Sequence, residues 1–472
     1  MLNCSPRRMA LFAAAALALL AAAPAQARVL DVTKRHVSFS HFTTIQRAVN
    51  AARSGDWIII DRGVYPESVS ITKPNLHLRG LDRNNVIVDG RHRKNVNGIE
   101  ILKANNVWVE NLTVRNFDRP TNNGPAGNQI WWNGGDGSGK IGARGWYGQY
   151  LTAYDTGLTG GYGLFASNTV NGFLRHVYAS GFADSGIYIG ACPDCHAVVD
   201  DALVERNALG YSGTNAGGHL VVQNSTFRNN TFGIGPNSLN NDDKPPPQDG
   251  SCASARNPKV TPGHLTNLPT FSSTNIARCT IIRNNLVENN NNLTTPESGG
   301  TDGSWGVGIL LPGDYADLVQ GNTVRNNVNF GILAHEYPNP FPPTSNTVYF
   351  QASGNKIANN RLTNNGTRTG FGGSDLGLEG GAFGTMRSVN NCFTGNRFAT
   401  SNPASIQGTW GCQNATTPNA GPGLLAKLLQ MLGETTPGDP TYLRHPTGQR
   451  APGRQKTMPR PCGGVPHTGS LC

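Results

Sequence analysis

"TVRNNVNFGILAH", residues 323–335, joins the two elements from which most of this chain is built. The first half is a short apolar alternation that runs into two asparagines. The second half contains a glycine followed by the apolar residues Ile332, Leu333 and Ala334. Apolar residues at every second position predict a β-strand with one buried face, and glycine and asparagine are typical of the turns between strands.

Both elements recur along the chain. The glycine-led element occurs as GLFAS at Gly163, GIYIG at Gly186, GYSGT at Gly210, GIGPN at Gly233, GILLP at Gly308 and GILAH at Gly331. The asparagine-ended element occurs as ALVERN from Ala202, STFRNN from Ser225, NLVENN from Asn285, TVRNN from Thr323 and RLTNN from Arg361. Successive glycines are 23, 24, 23, 75 and 23 residues apart, so the longest step contains an insertion. A short strand repeat of nearly constant length predicts a solenoid whose coils stack on one another, with stacked asparagines hydrogen-bonding from coil to coil.

The segment before the repeats, FTTIQRAVNAARSGDWIIIDRGVYPESVSI (residues 42–71), combines a helical pattern with a Gly-x-Tyr-x-Glu turn. The apolar face of that helix consists of Ile45, Ala48, Val49 and Ala52. In these features roughly residues 40 to 412 resemble the right-handed parallel β-helix, or pectin-lyase-like, superfamily with its PbH1-type repeats. The resemblance implies an all-β solenoid with an N-terminal capping helix. It selects no activity, because the superfamily contains lyases, hydrolases, epimerases, esterases, phage spikes and non-catalytic proteins.

The two ends of the chain differ from the repeats. Residues 1–27 have a basic start, an apolar Leu/Ala run and a small-x-small end, which predict a signal peptide cut after Ala27. We therefore expect a secreted or periplasmic protein with a β-helix domain over residues 28–412 and no membrane span. The general and the twin-arginine export routes both stay open. Residues 413–472 are rich in Pro and Gly; GLLAKLLQMLG at 423–433 predicts a short helix over the far end of the solenoid, followed by a basic tail.

Nine cysteines become eight once the signal peptide is removed, an even number that favours disulfides in an oxidising compartment. Their order along the chain suggests the local pairs Cys192–Cys195, Cys252–Cys279, Cys392–Cys412 and Cys462–Cys472, although eight cysteines allow 105 connectivities. CPDCH, from Cys192 to His196, also matches a haem-attachment motif and a Cys-x-x-C redox pair. Because His196 leads straight into the next coil, a structural turn disulfide is the preferred interpretation.

The net charge is +10, or +8 without Arg7 and Arg8, on a chain with only 14% charged residues. That balance suits an acidic polysaccharide or a cell-surface glycan as partner, and equally a basic secreted protein with no anionic ligand. No basic run or nucleic-acid motif is present. We expect a monomer with no cofactor and no metal site; the sequence does not decide whether Ca²⁺ is needed.

The strongest catalytic candidates follow the last two glycine-led strands. Asp314 and Tyr315 come shortly after GILLP, while His335, Glu336 and Tyr337 follow GILA directly. A carboxylate, an imidazole and a phenol on neighbouring coils could take the C5 proton of a uronate and protonate the leaving oxygen, as elimination or epimerisation requires. The alternative is a set of solvated turn residues that cap strands.

The orientation of these side chains follows from the alternation. If Ile187, Ile309 and Ile332 point inward, Tyr188, Leu310 and Leu333 point outward, with Phe165 in the same column. His335 shares the outward side of Leu333, and Glu379 in LGLEG extends the row. We expect His335 to be exposed.

A glycine-rich stretch at residues 128–155 departs from the repeat and is dense in aromatic residues. The predicted substrate-binding residues are Trp131, Trp132, Lys140, Arg144, Trp146, Tyr147 and, from GIYIG, Tyr188. Aromatic faces suit the C–H faces of sugar rings, and the two cations suit a carboxylate. The alternative is that these aromatics cover the solenoid's own apolar stripe.

Two functions from different classes remain open. One is a polysaccharide lyase or C5-epimerase. The other is a non-catalytic extracellular or cell-envelope protein that binds glycan or presents a rigid surface. The signatures that the resemblance would carry for polygalacturonases (Gly-His-Gly and Asn-Thr-Asp) and for alginate epimerases (Asp-Pro-His-Asp) are absent from the sequence.

Overall fold

The computed structural model describes most of the chain. The described residues are 27–120, 126–135, 140–192, 194–237, 279–295, 305–335, 352, 354–370, 372–379, 391–413, 448–466 and 470–472, together with the backbone of 337–339 and 348–350. The predicted signal peptide, apart from Ala27, and the predicted helix at 423–433 lie outside these residues.

The described part of the chain is built almost entirely of short strands. In chain order they are β1 (Val29–Val32), β2 (Trp57–Ile60), β3 (Gly63–Tyr65), β4 (Val69–Ile71), β5 (His77–Gly80), β6 (Val86–Lys94), β7 (Ile99–Leu102), β8 (Val107–Glu110), β9 (Thr113–Asp118), β10 (Ile130–Asn133), β11 (Ala143–Gln149), β12 (Thr152–Tyr154), β13 (Leu164–Ser167), β14 (Thr169–Ser180), β15 (Ser185–Gly190), β16 (Ala197–Glu205), β17 (Leu209–Thr214), β18 (Leu220–Gln223), β19 (Thr226–Arg228), β20 (Phe232–Asn237), β21 (Thr280–Arg283), β22 (Leu286–Glu288), β23 (Val307–Pro312), β24 (Leu318–Gln320), β25 (Thr323–Arg325), β26 (Phe330–His335), β27 (Tyr337–Asn339), β28 (Val348–Phe350), β29 (Lys356–Ala358), β30 (Arg361–Thr363), β31 (Ser374–Glu379), β32 (Cys392–Thr394) and β33 (Ser401–Asn402). The helices are α1 (Ile45–Ala51) and α2 (Ile406–Thr409).

These strands form a 20-stranded sheet, an 11-stranded sheet and the two-stranded antiparallel pair β27–β28. The two large sheets are parallel throughout, as in β23–β26 and β26–β31. A typical coil contributes two strands to the larger sheet and one to the smaller, then climbs to the next coil. Parallel strands joined in this way take the right-handed crossover almost without exception. The chain has the right-handed parallel β-helix fold.

Alternation along the strands of the 11-stranded sheet is as predicted. Ile309 stacks on Ile332, and both belong to the central apolar core. Leu310 stacks on Leu333, and these two belong to a separate apolar cluster. The 23-residue repeat is therefore one turn of the solenoid.

Buried asparagines tie neighbouring coils together at the corners. In one corner Asn207, Asn230, Asn290, Asn327 and Asn365 stand above one another, each amide bonding to the next; the series ends on Asp375. Asn290 is typical: its Oδ1 accepts from Asn230 Nδ2 at 3.0 Å, and its Nδ2 donates to Asn327 Oδ1 at 3.2 Å. A second series runs through Asn285, Asn322, Asn360 and Asn396. The predicted coil-to-coil asparagine contacts are confirmed.

The recurring glycines are required by the same packing. A Cβ added to Gly233 would lie 2.4 Å from the carbonyl oxygen of Gly308 and 3.0 Å from the amide nitrogen of Asn290. Gly308 has the same relation to Gly331 and Asn327. Only glycine leaves room for both the neighbouring strand and the asparagine series, so the glycine-led and asparagine-ended elements recur together.

Helix α1 packs across the first coils. Its N-cap is Thr44, and the carboxylate of Glu67 accepts from the backbone N–H groups of Ile45 and Gln46 at 2.9 Å each. The Glu of the Gly-x-Tyr-x-Glu turn therefore satisfies N–H groups that every helix start leaves open. The helix ends at Ala51, and Ala52, predicted to belong to the helical face, is its buried C-cap.

The described part of the C-terminal tail follows a corner of the solenoid back toward its first coils. The backbone N–H of Gln455 donates to Asn84 Oδ1 at 2.7 Å, and that of Met458 donates to Asn111 Oδ1 at 2.8 Å. Gln449 accepts from Ser180 at 3.1 Å. These contacts join segments more than 260 residues apart in sequence, so the described residues of the tail pack against the solenoid.

Three of the predicted disulfides are present: Cys192–Cys195, Cys392–Cys412 and Cys462–Cys472. Cys279 is also disulfide-bonded. Its predicted partner, Cys252, lies outside the described residues. Both cysteines of CPDCH are fully buried, which favours the structural turn disulfide over an accessible redox pair.

Asn290→Ala should lower the free energy of unfolding by about 2–5 kcal/mol, because it leaves the N–H groups of Asn230 and the carbonyl of Phe227 buried without their partner. The matched control is the exposed corner residue Asn284, which has a positive φ of 54°; Asn284→Gly should change stability by less than about 1 kcal/mol. Urea unfolding measures both variants, and equal effects would contradict the role of the asparagine series.

Peptide mapping without reduction should find Cys279 joined to Cys252. The segment between the two cysteines is the insertion in the repeat, which has little apolar content with which to fix its own ends. A Cys279 peptide joined to any other cysteine would show that the local-pair rule fails at the insertion.

Candidate functional site

The outward side of the 11-stranded sheet carries a row of side chains where its strands end. Pro312 lies beside His335, and His335 lies beside Glu379, on three successive coils. The register puts an imidazole and a carboxylate side by side on adjacent parallel strands, where strands are about 4.8 Å apart. The predicted extension of the row to Glu379 agrees with this register.

The expected exposure of His335 is wrong. Only 8% of its surface is accessible, and only 1% of that of Glu379. The neighbouring outward residues Leu310 and Leu333 are also buried, packed with Val307 and Phe330. The His335–Glu379 pair is therefore largely shielded from solvent.

The carboxyl group of Asp314, the second catalytic candidate, is buried. Burial and the neighbouring carboxylate of Asp317 raise the pKa of Asp314 well above its usual value, and its Oδ2 has no hydrogen-bond partner among the described residues. Tyr315 is buried too, which raises the pKa of its phenol. The protonated form of Asp314 is therefore favoured, which makes this carboxyl group a poor general base.

The remaining catalytic candidates are only partly described. The backbone of Tyr337 pairs with Phe350 in the antiparallel pair β27–β28. Glu336 lies outside the described residues. Among the candidates whose side chains the structure describes (Asp314, Tyr315 and His335), His335 lies in the outward row at the strand ends.

Two predicted substrate-binding residues lie in the core. Trp132 and Trp146 are each 1% exposed, with ring centroids 5.6 Å apart. Trp132 stands in the inward column between Ile101 and Ala166. The prediction that these rings face a sugar is corrected: the aromatic-rich stretch supplies strands β10 and β11, whose alternation turns these two residues inward.

Trp131 and Tyr188 are outward on the 11-stranded sheet, with Phe165 between them. Trp131 stacks on Phe165 at 4.9 Å and 8°, and Phe165 meets Tyr188 edge-on at 5.0 Å. The Trp131 indole N–H donates to Ser167 Oγ at 3.0 Å. Each ring is partly covered by its neighbour. This arrangement agrees with the alternative prediction, in which the aromatic residues cover the apolar stripe of the solenoid.

Tyr147 and Arg144 lie elsewhere. Tyr147 stacks on Trp108 at 4.2 Å on the outer face of the 20-stranded sheet, and Arg144 is an exposed residue of the same strand, β11. Lys140 is exposed shortly before that strand. The predicted binding residues are therefore divided between two faces and the core, and do not form one site.

A polar network on the outer face of the 11-stranded sheet was missed by the sequence analysis. Asp184 accepts from Ser185 Oγ at 2.8 Å and lies 3.4 Å from the guanidinium of Arg119. Ser185 in turn meets Ser212 at 2.6 Å. Burial first, and then the Asp184 carboxylate, raise the pKa of Tyr162 well above its usual value. The signal in the sequence is the Asp-Ser pair directly before the glycine of GIYIG.

A second missed cluster occupies a corner of three successive coils. His92 Nδ1 lies 3.1 Å from Asp118 Oδ1 and 3.7 Å from Asp155 Oδ1. Burial and the Asp118 carboxylate raise the pKa of Asp155, whose oxygens accept three backbone N–H groups of the following turn. Asp155 therefore mainly shapes that turn.

Comparison with known proteins gives a local and a structural likeness. No protein-family model matches the chain. A stretch of 107 residues is 33% identical to Pectinesterase A of Dickeya dadantii (strain 3937), covering 19% of this chain and 29% of that protein. The chain thus spans less than a third of the length of this curated relative.

Three solved structures illustrate the structural likeness. The A-module of mannuronan C-5 epimerase AlgE4 from Azotobacter vinelandii has a TM-score of 0.43 at 14% identity over 75% of this chain and 82% of that one. An alginate lyase from Paenibacillus sp. str. FPU-7 has 0.38 at 12% identity over 72% and 94%. Pectin methylesterase PemA from Erwinia chrysanthemi has 0.36 at 15% identity over 73% and 90%. In the described part of the chain, no helix is long and apolar enough to cross a bilayer.

Asp314→Asn should stabilise the protein at about pH 7.5 and not at about pH 4. The folded-state pKa of Asp314 is raised, so the unfolded chain releases this proton at a lower pH than the folded protein does. Between the two pKa values the folded state binds more protons, and stability falls as pH rises. Asparagine does not ionise, so the Asp314→Asn variant does not lose this stability as the pH rises. Melting temperatures at the two pH values test this, and a stability difference that does not change with pH would contradict a raised pKa.

Proposed function

We propose that the protein acts on an acidic polysaccharide at the strand ends of the 11-stranded sheet, by proton-transfer chemistry of the lyase or C5-epimerase type. The observation that carries the proposal is the pair formed by His335 and Glu379, in register on the outward side of adjacent strands. An imidazole beside a carboxylate can take a carbon-bound proton and hold the resulting positive charge.

The pair suggests a division of roles. His335 is the base that removes the C5 proton of a uronate, because a neutral imidazole nitrogen accepts a proton. Glu379 orients the imidazole and stabilises it once it is protonated. Tyr337 is the candidate acid that returns a proton, to the leaving oxygen in elimination or to C5 in epimerisation. The low exposure of the pair favours this chemistry, because exclusion of water strengthens interactions between charges.

Two further properties support an acidic polysaccharide as the substrate class. The net charge of +10 attracts polyanions. The local similarity to Pectinesterase A points to the same class of substrate. The signal-peptide pattern and the disulfides support a secreted or periplasmic location, where such polymers occur.

Glycan binding without catalysis is the second candidate. It is favoured by the outward aromatic residues Trp131, Phe165 and Tyr188 and by the polar network around Asp184, which lie on the same face. A protein of this kind would bind the polymer and leave it unchanged.

His335→Gln and Glu379→Gln should each reduce turnover of the substrate by about 10²- to 10⁴-fold. Alginate, pectate, methyl-esterified pectin and glycosaminoglycans are incubated with the protein; ultraviolet absorbance detects unsaturated uronates, and proton NMR detects C5 inversion. His176→Gln is the matched control, because His176 also pairs with a carboxylate, at 2.6 Å, but on the other sheet. It should leave turnover unchanged.

Because His335 is buried, its substitution should also cost about 1–3 kcal/mol of stability, so activity is compared at a temperature where all variants are folded. Full turnover in folded His335→Gln would contradict the proposed base. Saturable binding of a polymer that remains unchanged would favour the non-catalytic function.

A further inference from the structure

Two imidazoles and one carboxylate meet at the corner that follows β15 and β17. His219 Nδ1 lies 2.8 Å from Asp194 Oδ1, and His196 Nε2 lies 3.2 Å from Asp194 Oδ2. The two imidazole rings are stacked, with centroids 4.1 Å apart and an angle of 11° between their planes. One ligand atom from each of the three residues lies within 4.8 Å of the others.

The solenoid repeat produces this arrangement. His196 and His219 are 23 residues apart, one coil, and each directly precedes a strand of the same column, where Ala197 pairs with Leu220. The N–H of Ala197 donates to the carbonyl of His219 at 2.9 Å. Equivalent positions of successive coils stack, so a histidine at each position gives two parallel rings.

The backbone conformation at this corner does not require histidine. His196 and His219 have positive φ values of 47° and 56°, in the left-handed region. The same position of the preceding coils has φ values of 55°, 80° and 60° and is occupied by Asn106, Gly145 and Asn171. Glycine and asparagine adopt this conformation at low cost. The two histidines therefore contribute a side-chain property that the turn itself does not need.

The carboxylate of Asp194, which contacts one nitrogen of each ring, lies in a turn closed by the disulfide Cys192–Cys195. That turn is hydrogen-bonded on both sides to the next coil, from Gly217 N to Cys192 O at 3.2 Å and from Cys195 N to Gly217 O at 3.0 Å. Both cysteines are fully buried and bonded to each other, so they are not ligands.

We propose that Asp194, His196 and His219 bind a divalent transition-metal ion such as Zn²⁺, with a fourth coordination position open to solvent. Two imidazoles and a carboxylate are a donor set that Zn²⁺, Ni²⁺ and Cu²⁺ accept, at ligand distances of about 2.0–2.2 Å for zinc. Ligand atoms at such distances are about 3.3 Å apart around a tetrahedral ion. Because the two rings are stacked with nearly parallel planes, one imidazole must turn out of the stack before both nitrogens point to the same ion. The side chain of His196 is the more exposed of the two and is the one that turns.

The location fits a solvent-accessible site. The side chains of His196 and Asp194 are 46% and 44% exposed, so water can reach the ion, while His219 is mostly buried and fixes the inner side. The His92–Asp118–Asp155 cluster is less suitable. It has one imidazole, and both oxygens of Asp155 already accept backbone N–H groups.

Isothermal titration of the untagged, disulfide-intact protein with ZnCl₂ should show one saturable site at about pH 7.5. Zinc affinity should fall by at least about tenfold in each of the variants His196→Gln, His219→Gln and Asp194→Asn. Loss of a residue that only supports a metal ligand already lowers affinity by about 10- to 100-fold. His92→Gln, the matched control, should leave binding unchanged. CaCl₂ should give no heat at this site, because Ca²⁺ requires a cage of oxygen ligands.

The binding should also weaken in acid, because protonated imidazole cannot coordinate a metal. Melting temperatures of the variants confirm that they are folded, and anomalous diffraction at the zinc edge locates the ion. No saturable site in the wild-type protein would overturn the proposal. So would unchanged affinity in His196→Gln and His219→Gln, or an anomalous peak at another position.

Discussion

Asparagine side chains that accept a hydrogen bond from one coil and donate one to the next are the interaction on which this structure depends. The series through Asn230, Asn290 and Asn327 runs parallel to the solenoid axis inside a corner from which water is excluded. A buried amide that loses its partner is costly, so the series favours one register of the coils over its alternatives. The recurring glycines follow from it, because Gly233 and Gly308 leave the space that the amides occupy.

Fixed register explains where the chemistry lies. Residues at the same position of successive coils become neighbours, however long the segment between them. His335 and Glu379 meet in this way although 44 residues separate them, and His196 and His219 meet after a single coil. The stacked coils therefore arrange side chains in rows, one residue from each coil. Each candidate site is a place where such a row contains other polar residues instead of asparagine, glycine or apolar residues.

Much of the fold could be predicted from the sequence, because the repeat, the alternation and the turn residues all act over short distances. The column of Ile309 and Ile332 and the outward direction of His335 followed from these patterns. The burial of the outward side chains could not be predicted from the sequence, because it depends on which segments pack over the strand. Trp132 was misassigned because its stretch lacks the repeat that fixes which alternate residues face inward.

The candidate sites were less accessible to sequence reasoning for a related reason. The Asp184 network and the His196–His219 stack join residues of different coils, and only the register shows that they touch. The raised pKa of Asp314 has an electrostatic cause, because its carboxyl group is buried near Asp317. The sequence DYADL does not reveal that environment.

The most direct test of the central claim is a crystal structure of the protein with a bound uronate oligosaccharide. The account predicts that the sugar lies along the outer face of the 11-stranded sheet, with a ring C5 close to the imidazole of His335 and with Glu379 on the far side of that imidazole. An oligosaccharide bound on the 20-stranded sheet, for example beside Trp108 and Tyr147, would contradict it.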